Sequence, residues 1–311
     1  MLAIRVVKYN RQEMPKAAPF ILILWTFIFG CQYSSRPTAE ALFHHSPDEL
    51  KLYNLKKPDA KYFLPYVLEE ISGMTYYKPG VIACIQDEDG KVFFYNHHER
   101  KLEQTIRFSD PGDYEGIASD GEKIYVAESN GDLYKFELDD NGEMIKHKKY
   151  KTQLNKDNDV EGLVYDQELD RLLVACKGDA GINGKDEKGR SVFYFDLDDK
   201  EIKSKAAFNI SKEGIKDYLE THKDFEYEAN RINFRPSGIA LHPINNHYYI
   251  IASVGKLLLV TDKKGNIKAS MPLDPRLLGQ PEGICFAPNG DLFISSEGQG
   301  DKGYILKFNM N

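Results

Sequence analysis

Five copies of one short motif constrain this chain more than any other feature. Each copy places a serine or a glutamate before a glycine and an apolar residue. The five glycines are Gly73, Gly116, Gly162, Gly238 and Gly283. Their spacings are 43, 46, 76 and 45 residues. Because a recurring period of this size is typical of stacked supersecondary units, the sequence predicts a repeat protein.

Each repeat contains short runs rich in aromatic and β-branched residues, separated by turn residues. In the first repeat these runs are 73–77, 81–85, 92–95 and 102–108. Runs of this length between Gly, Asn and Asp are typical of strands joined by tight turns. The sequence therefore predicts an all-β fold built from four-stranded sheets.

The last repeat is one strand short, so we predict that the blades form a closed ring in which an earlier segment supplies this strand. Residues 52–55 are predicted to supply the missing strand, because ring closure removes the exposed edges that an open array would leave. The predicted fold is a β-propeller of five blades. Six blades stay open as an alternative, since 51–70 or the long insertion before Gly238 could hold another. Within that insertion, 211–222 is predicted to be a helix with Ser211 as its cap.

The amino-terminal segment is typical of an exported protein. Basic residues precede an uncharged run, 17–30, which is short for a membrane-spanning helix. The next residue is Cys31, and Ile28-Phe29-Gly30-Cys31 resembles the lipobox of bacterial lipoproteins. We therefore predict a lipoprotein signal peptide over 1–30, a flexible tether over 31–50 and a propeller domain over 51–311. A plain uncleaved anchor and a buried hydrophobic segment are the alternatives.

Composition and motifs exclude several classes of function. The net charge of -7, with both signs interspersed, argues against a nucleic-acid partner, which would select a basic face. The sequence also lacks a Gly-x-Ser-x-Gly elbow, a His-Glu-x-x-His pair and a Walker-type lysine, so no reaction is predicted. Cys84, Cys176 and Cys285 lie in apolar runs and are predicted to be buried thiols. His242 and His247 border a turn and are predicted to be exposed.

The residues that head the five motifs carry a family resemblance. In chain order they are Ser72, Glu115, Glu161, Ser237 and Glu282. This order resembles the SdiA-regulated (YjiK-like) propeller family over roughly residues 65 to 309. The resemblance implies a membrane-associated protein facing the periplasm, with no established activity. More distantly, the layout resembles the gluconolactonase and paraoxonase propellers, which implies calcium at the central axis.

The first strand of each propeller blade lines the axis, so the motif residues are expected to converge there. Because strand side chains alternate, Asp113 shares a face with Glu115, and Asp159 with Glu161. With Glu282 they form the predicted metal site. Carboxylates this close repel unless a cation lies among them, and calcium accepts many oxygen ligands. The predicted ligand-binding residues around that site are Glu70, Ser72, Glu128, Arg235, Ser237, Gln280 and Glu297.

Several interpretations of this acidic ring remain open at this point. The ring could hold calcium, could be a structural set of hydrogen bonds to neighbouring blades, or could contact a cationic or hydroxylated ligand. The main functional hypothesis is a lipid-anchored periplasmic propeller that binds a small molecule or a protein partner there. A calcium-dependent hydrolase of an ester, lactone or phosphoester is one alternative, and it requires a base near the site. A protein-interaction scaffold is the other, and it requires a plugged axis.

The lipid anchor is testable directly. Replacing Cys31→Ser removes the thiol that would be acylated, so lipid labelling should be abolished and an uncleaved or mislocalised precursor should remain. Metabolic labelling with a fatty acid, followed by fractionation, measures both effects. Undiminished labelling of the variant would exclude Cys31 as the anchor.

Overall fold

The computed structural model describes residues 49–178, 181–182, 188–222 and 232–311. Three of the features predicted above lie outside the described residues: the signal peptide, Cys31 and the tether up to residue 48. All statements below concern the described residues.

Five antiparallel sheets form the five blades of a β-propeller, as predicted. The first strand, β1 (Ala60–Phe63), belongs to the last blade. Blade 1 consists of β2 (Ile71–Lys78), β3 (Val81–Gln86), β4 (Lys91–Asn96) and β5 (Lys101–Arg107). Blade 2 consists of β6 (Tyr114–Ser119), β7 (Lys123–Glu128), β8 (Leu133–Leu138) and β9 (Met144–Tyr150).

The other three blades repeat the same order from inner to outer strand. Blade 3 consists of β10 (Val160–Asp166), β11 (Arg171–Cys176) and β12 (Arg190–Asp196), and its outer edge is split into β13 (Glu201–Ile202) and β14 (Phe208–Ile210). Blade 4 consists of β15 (Gly238–Leu241), β16 (Tyr248–Ala252), β17 (Leu257–Thr261) and β18 (Ile267–Pro272). Blade 5 consists of β19 (Pro281–Phe286), β20 (Leu292–Ser296), β21 (Tyr304–Phe308) and β1.

Burial is greatest in the middle strands of a blade and smallest in the outer strands. The middle strands β3, β16 and β20 are buried along most of their length, so they read as continuous apolar runs in the sequence. The outer strand β9 is mostly exposed and carries several lysines. Both faces of this strand contact solvent, so its sequence lacks the apolar alternation that marks a half-buried strand.

The motif glycines lie where the inner strand of the next blade passes closest. A Cβ atom on Gly116 would lie 2.8 Å from the Leu163 Cβ of blade 3, and one on Gly238 would lie 2.5 Å from the Glu282 carbonyl oxygen of blade 5. Distances this short are excluded for real Cβ atoms. Each blade therefore requires a glycine at the same position, and this requirement makes the repeat recognisable in the sequence.

The insertion between blades 3 and 4 contains the predicted helix, α1 (Lys212–His222). The Ser211 hydroxyl accepts the Gly214 N–H at 2.9 Å and so caps its first turn. Ile215, Tyr218 and Leu219 form its buried face and pack with residues of blades 3 and 4. No helix in the described part of the chain is long and apolar enough to cross a membrane.

The strand that closes the ring is not the predicted one. Residues 52–55 form no strand; β1 pairs instead with β21, in a register that places Ala60 opposite Lys307 and Phe63 opposite Tyr304. Leu52 and Tyr53 are buried, but they pack against the cores of blades 4 and 5. The prediction failed because apolar side chains that pack on the end of a sheet give the same short pattern as a strand.

Glu49 attaches the start of the described chain to blade 4. This carboxylate is only 6% exposed. It accepts hydrogen bonds from His247 Nδ1 at 2.6 Å, Asn245 Nδ2 at 2.7 Å and the Tyr249 hydroxyl at 2.7 Å. Three donors satisfy the buried charge. Glu49 therefore packs with the propeller, although the domain was predicted to begin at residue 51.

His242 is buried, contrary to the prediction that it is exposed. Its side chain is 1% exposed, and its Nδ1 accepts the backbone N–H groups of Ile244 and Asn245. The Nε2–H is therefore free to donate to the Tyr53 hydroxyl, 2.8 Å away. Burial lowers the pKa of His242 to about 4, so the ring is neutral at pH 7. Tyr53 in turn donates to the Gly290 carbonyl.

The three cysteines of the propeller match their prediction. Cys84, Cys176 and Cys285 are buried free thiols in the strands β3, β11 and β19. Burial raises the pKa of all three far above the ordinary thiol value, so they behave as small apolar side chains.

The contact of Tyr53 with blades 4 and 5 gives a test of the seam. Tyr53→Phe leaves the His242 Nε2–H and the Gly290 carbonyl without this partner, which should lower the free energy of unfolding by about 1–3 kcal/mol. Tyr66→Phe is the matched control, because Tyr66 is 63% exposed. Urea unfolding curves give both values. Equal midpoints for the two variants would show that the Tyr53 hydroxyl does not stabilise the seam.

Candidate axial binding site

In four of the five motifs, those of blades 1, 2, 3 and 5, the head residue lies in or next to a β-bulge at the start of an inner strand. The pairing register shifts between Ile71 and Gly73, between Tyr114 and Gly116, and between Val160 and Gly162, which leaves Ser72, Glu115 and Glu161 as the extra residues. In β19 the shift spans Glu282 and Gly283. A bulge frees a residue from the ladder and changes the direction of its side chain.

Three glutamates meet at the axis. Glu115, Glu161 and Glu282 line a central constriction of about 10 Å³, together with the motif glycines. The apolar residues that follow the glycines close the axis on one side of this ring: Met74, Ile117, Leu163, Ile239 and Ile284. The predicted acidic funnel is therefore narrow, with an apolar layer across it.

The two serine heads have a different role from the three glutamates. Ser72 Oγ donates to the Tyr114 carbonyl of blade 2 at 2.6 Å, and Ser237 Oγ donates to the Pro281 carbonyl of blade 5 at 2.7 Å. Both serines are buried. One interpretation of the motif residues was that they form hydrogen bonds to neighbouring blades. The two serines make these bonds.

A lysine of the protein itself supplies positive charge to the ring. Lys177 Nζ lies 2.5 Å from Glu161 Oε1, and its charge also reaches Glu282. Burial raises the pKa of Glu161 to about 7, although the ammonium opposes this shift. One ammonium group cannot neutralise three carboxylates, so the ring has an excess of acidic groups.

The two remaining glutamates hold protons at neutral pH. Burial, followed by the charges of Glu161 and Asp113, raises the pKa of Glu115 to about 10. Burial, followed by the charges of Glu161 and Glu297, raises the pKa of Glu282 to about 8. Without a bound cation, protonation of Glu115 and Glu282 therefore reduces the negative charge of the ring.

A second acidic group lies between blades 1 and 5. Burial raises the pKa of Glu297 to about 7 and that of Asp87 to about 6, and the charge of Glu70 contributes to both shifts. The buried Asp87 Oδ1 has no hydrogen-bond partner. Sequence reasoning missed Asp87, which follows an apolar strand and lies outside the motif. Its position directly after β3, before two other acidic residues, was the only signal.

The structure does not bring every predicted site residue to the ring. Asp113 and Asp159 flank it and act on Glu115 and Glu161 through their charges. Asp113 also accepts a hydrogen bond from Ser129. Glu128 accepts hydrogen bonds from Tyr134 and Lys149 in the outer strands of blade 2, so it belongs to that blade and not to the ring.

The last two predicted residues, Arg235 and Gln280, line a cavity of about 350 Å³ beside the ring. Glu282 and Lys177 line the same cavity, which therefore adjoins the carboxyl groups. Lys256 also lines it, and sequence reasoning missed this lysine because it lies in a turn of blade 4, far from any motif in the sequence.

The described residues do not fit a calcium ion as they stand. No group of three or more His, Cys, Asp or Glu side chains in the described ranges has an arrangement that could hold a metal ion. The Lys177 ammonium already occupies one face of Glu161. Calcium therefore stays a prediction, and its binding would require the carboxyl groups to lose protons and move together.

The opposite end of the axis holds a separate cavity of about 400 Å³. It is lined by the far ends of the inner strands, with Tyr76, Ser119, Gln167 and His242 among its polar residues. None of the residues predicted from the motifs for metal or ligand binding lines this cavity. The apolar residues Met74 and Leu163 line both this cavity and the constriction, so they separate the two ends.

The comparisons with known proteins support the fold alone. No family model matches the sequence, and no curated protein is similar to it. Glutaminyl cyclase of Myxococcus xanthus is 14% identical, with 82% of this chain and 96% of that chain covered and a TM-score of 0.56. The two share a β-propeller fold. For the PQQ-bound aldose sugar dehydrogenase of Streptomyces coelicolor the identity is 11%, the coverage 82% and 100%, and the TM-score 0.46. The resemblance to the SdiA-regulated family stays a prediction.

The raised pKa values predict how stability depends on pH. An acid with a higher pKa in the folded protein binds more protons when folded, so the free energy of unfolding falls as pH rises from the ordinary value through the folded one. Glu282 and Glu115, whose pKa values are raised, should therefore lower the free energy of unfolding as pH rises from 7 to 8.5. In that window His97 and His242, whose pKa values are lowered to about 4, are neutral in the folded protein and mostly neutral in the unfolded chain, so their contribution to the slope is small.

We therefore expect chelator-treated protein to lose stability from pH 7 to pH 8.5. Glu282→Gln should flatten this slope and stabilise the protein at pH 8.5 by on the order of 1–3 kcal/mol, because the amide needs no proton. Glu122→Gln, at an exposed position, should leave the slope unchanged. Thermal melts across the window measure this, and a stability that rises with pH would contradict the raised pKa values.

Proposed function

We propose that this protein is a binding protein whose axial carboxyl ring takes a positively charged group of a small ligand. The observation that carries the proposal is the contact between Lys177 and Glu161: the ring already binds one ammonium group, and two further glutamates remain beside it. A ligand ammonium would replace the protons on Glu115 and Glu282. Buried acids that are neutral only through protonation gain from such an exchange.

We also propose that the protein is lipid-anchored through Cys31 and faces the periplasm. Support comes from the basic flank, the apolar run and the cysteine that follows Gly30. The polar residues between the anchor and Glu49 would let the propeller reach a ligand in the surrounding solution. The structure describes neither the anchor nor the tether.

The hydrolase alternative gains no specific support from the geometry. It requires a base near the ring, and no histidine of the described chain lines the constriction or the cavity beside it. His242 lies at the opposite end and has its ring nitrogens engaged. Because the fold is shared by enzymes and binding proteins, it does not decide between them.

One observation favours the scaffold alternative as a second candidate function. Phe63, Tyr66 and Val67 are 60%, 63% and 41% exposed, and they lie close together in the chain at the edge of blade 5. The apolar layer across the axis also fits a protein that uses its outer surface. Exposed aromatic residues grouped in this way are typical of interaction surfaces.

Calorimetric titration of the full chain tests the ammonium proposal. n-Butylammonium, a model of the lysine side chain, should bind at pH 7 and release protons, so the apparent enthalpy should change between buffers with different ionisation enthalpies. Glu282→Gln should weaken this binding by about tenfold, the usual effect of losing one charge-assisted hydrogen bond. Glu122→Gln should bind like the unaltered protein.

Calcium is the second titrant, and it tests the metal prediction in the same experiment. If calcium binds, it should raise the melting temperature; at a thousandfold excess over its dissociation constant the gain in stability is about 4 kcal/mol. Binding of neither titrant, in protein shown beforehand to be metal-free, would leave the ring as a structural feature and favour the scaffold. Binding of calcium without n-butylammonium would replace the ammonium proposal with a metal site.

A further inference from the structure

The cavity beside the ring has an unusual charge distribution for a predominantly acidic protein. Three cationic side chains line it: Lys177, Arg235 and Lys256. Two hydroxyl groups and two amides line it as well, from Ser237, Ser253, Gln280 and Gln299. Glu282 is its single carboxyl lining residue among those the structure describes. Such a wall is suited to an anionic group.

The three cations differ in how far the protein already satisfies them. Lys177 is paired with Glu161, and Lys256 Nζ donates to the Gly279 carbonyl at 2.6 Å, a neutral acceptor. Arg235 makes no salt bridge with any carboxylate of the described residues, and its backbone is held by the bridge to Val254. Arg235 and Lys256 therefore retain positive charge and donors that an incoming anion can use.

The cavity also adjoins the carboxyl ring. Glu282 lines both the cavity and the constriction, and Ser253 bonds its carboxyl group. A ligand in this cavity would thus contact both cationic and acidic groups. Its charges must be arranged in the opposite way, with an anionic group near Arg235 and a cationic group near Glu282.

We propose that the cavity binds a small zwitterion of the amino-acid type, with its carboxylate held by Arg235 and Lys256 and its ammonium group directed to Glu282. The proposal rests on the ammonium site proposed above and adds the carboxylate subsite. The volume of about 350 Å³ lies at the lower end of the roughly 300–1,000 Å³ that small-molecule pockets span. The amides and hydroxyl groups on its wall suit a polar side chain.

A carboxylate fits this subsite better than a phosphate does. The planar guanidinium of Arg235 matches two carboxylate oxygens in a bidentate pair. A phosphate carries more negative charge than a carboxylate, so the Glu161 carboxylate of the adjoining ring would repel it more. Inorganic phosphate is therefore the discriminating probe for the anionic group.

The experiment is a calorimetric screen of the full chain with the twenty standard L-amino acids, inorganic phosphate and, for the best amino acid, its amide and N-acetyl derivatives. The amide derivative retains the ammonium group but has no α-carboxylate, and the N-acetyl derivative retains the carboxylate but has no α-ammonium group. We expect at least one amino acid to bind, and each derivative to bind at least about tenfold more weakly. Arg235→Gln should weaken the binding of the amino acid by about tenfold and leave the binding of its amide unchanged.

Arg107→Gln is the matched control, because Arg107 is exposed on the outer strand of blade 1 and should not affect binding. Equal affinity for the amino acid and its amide, or an unchanged affinity in Arg235→Gln, would overturn the carboxylate subsite while leaving the ammonium proposal intact. Phosphate binding tighter than any amino acid would overturn the choice of carboxylate. If no amino acid binds, the zwitterion proposal fails. The ammonium proposal fails with it only if serine amide and n-butylammonium do not bind either.

Discussion

The close approach of neighbouring inner strands at the axis is the constraint on which the rest of the structure depends. The five blades can meet only if the contact point carries no side chain, and a Cβ atom at Gly116 or Gly238 would overlap the next blade. The same crowding brings the residue before each glycine to the axis. Packing and site chemistry are therefore coupled. The sequence motif that allows the five blades to close into a circle also places three glutamates in one small space at the axis.

The electrostatic consequence is that the ring must be neutralised by something other than solvent. A salt bridge to Lys177 serves Glu161, while protons serve Glu115 and Glu282. Both solutions keep the acids at a cost, because burial disfavours their charged forms. Ser72 and Ser237 show that the same position can be filled by a residue that simply bonds to the next blade. Glutamates at the other three positions are thus not required for closure, which is the physical reason to assign them a binding role.

The fold could be predicted from the sequence because its signals are local and repeated. The glycine period, the apolar middle strands and the capped helix after Ser211 each arise from short-range geometry. Ring closure by 60–63 and the burial of His242 could not be predicted in the same way, since both depend on contacts between distant parts of the chain. The site was predictable in part: the motif gave Glu115, Glu161 and Glu282, but Asp87 and Lys256 reach the same region from loops that no motif marks.

Blade 5 is built from both ends of the described chain, and this has a consequence for the order of events during synthesis. The strand β1 is made before any other strand, yet its partner β21 follows about 240 residues later. At the usual rate of about 5–20 residues per second, β1 waits roughly 10–50 s for that partner. Throughout that time a nascent chain can assemble blades 1 to 4 in order but cannot complete the cylinder. The synthesis of β21 thus decides when blade 5 can close, and a chain cut short before β21 would leave β1 and the outer edge of β20 unpaired.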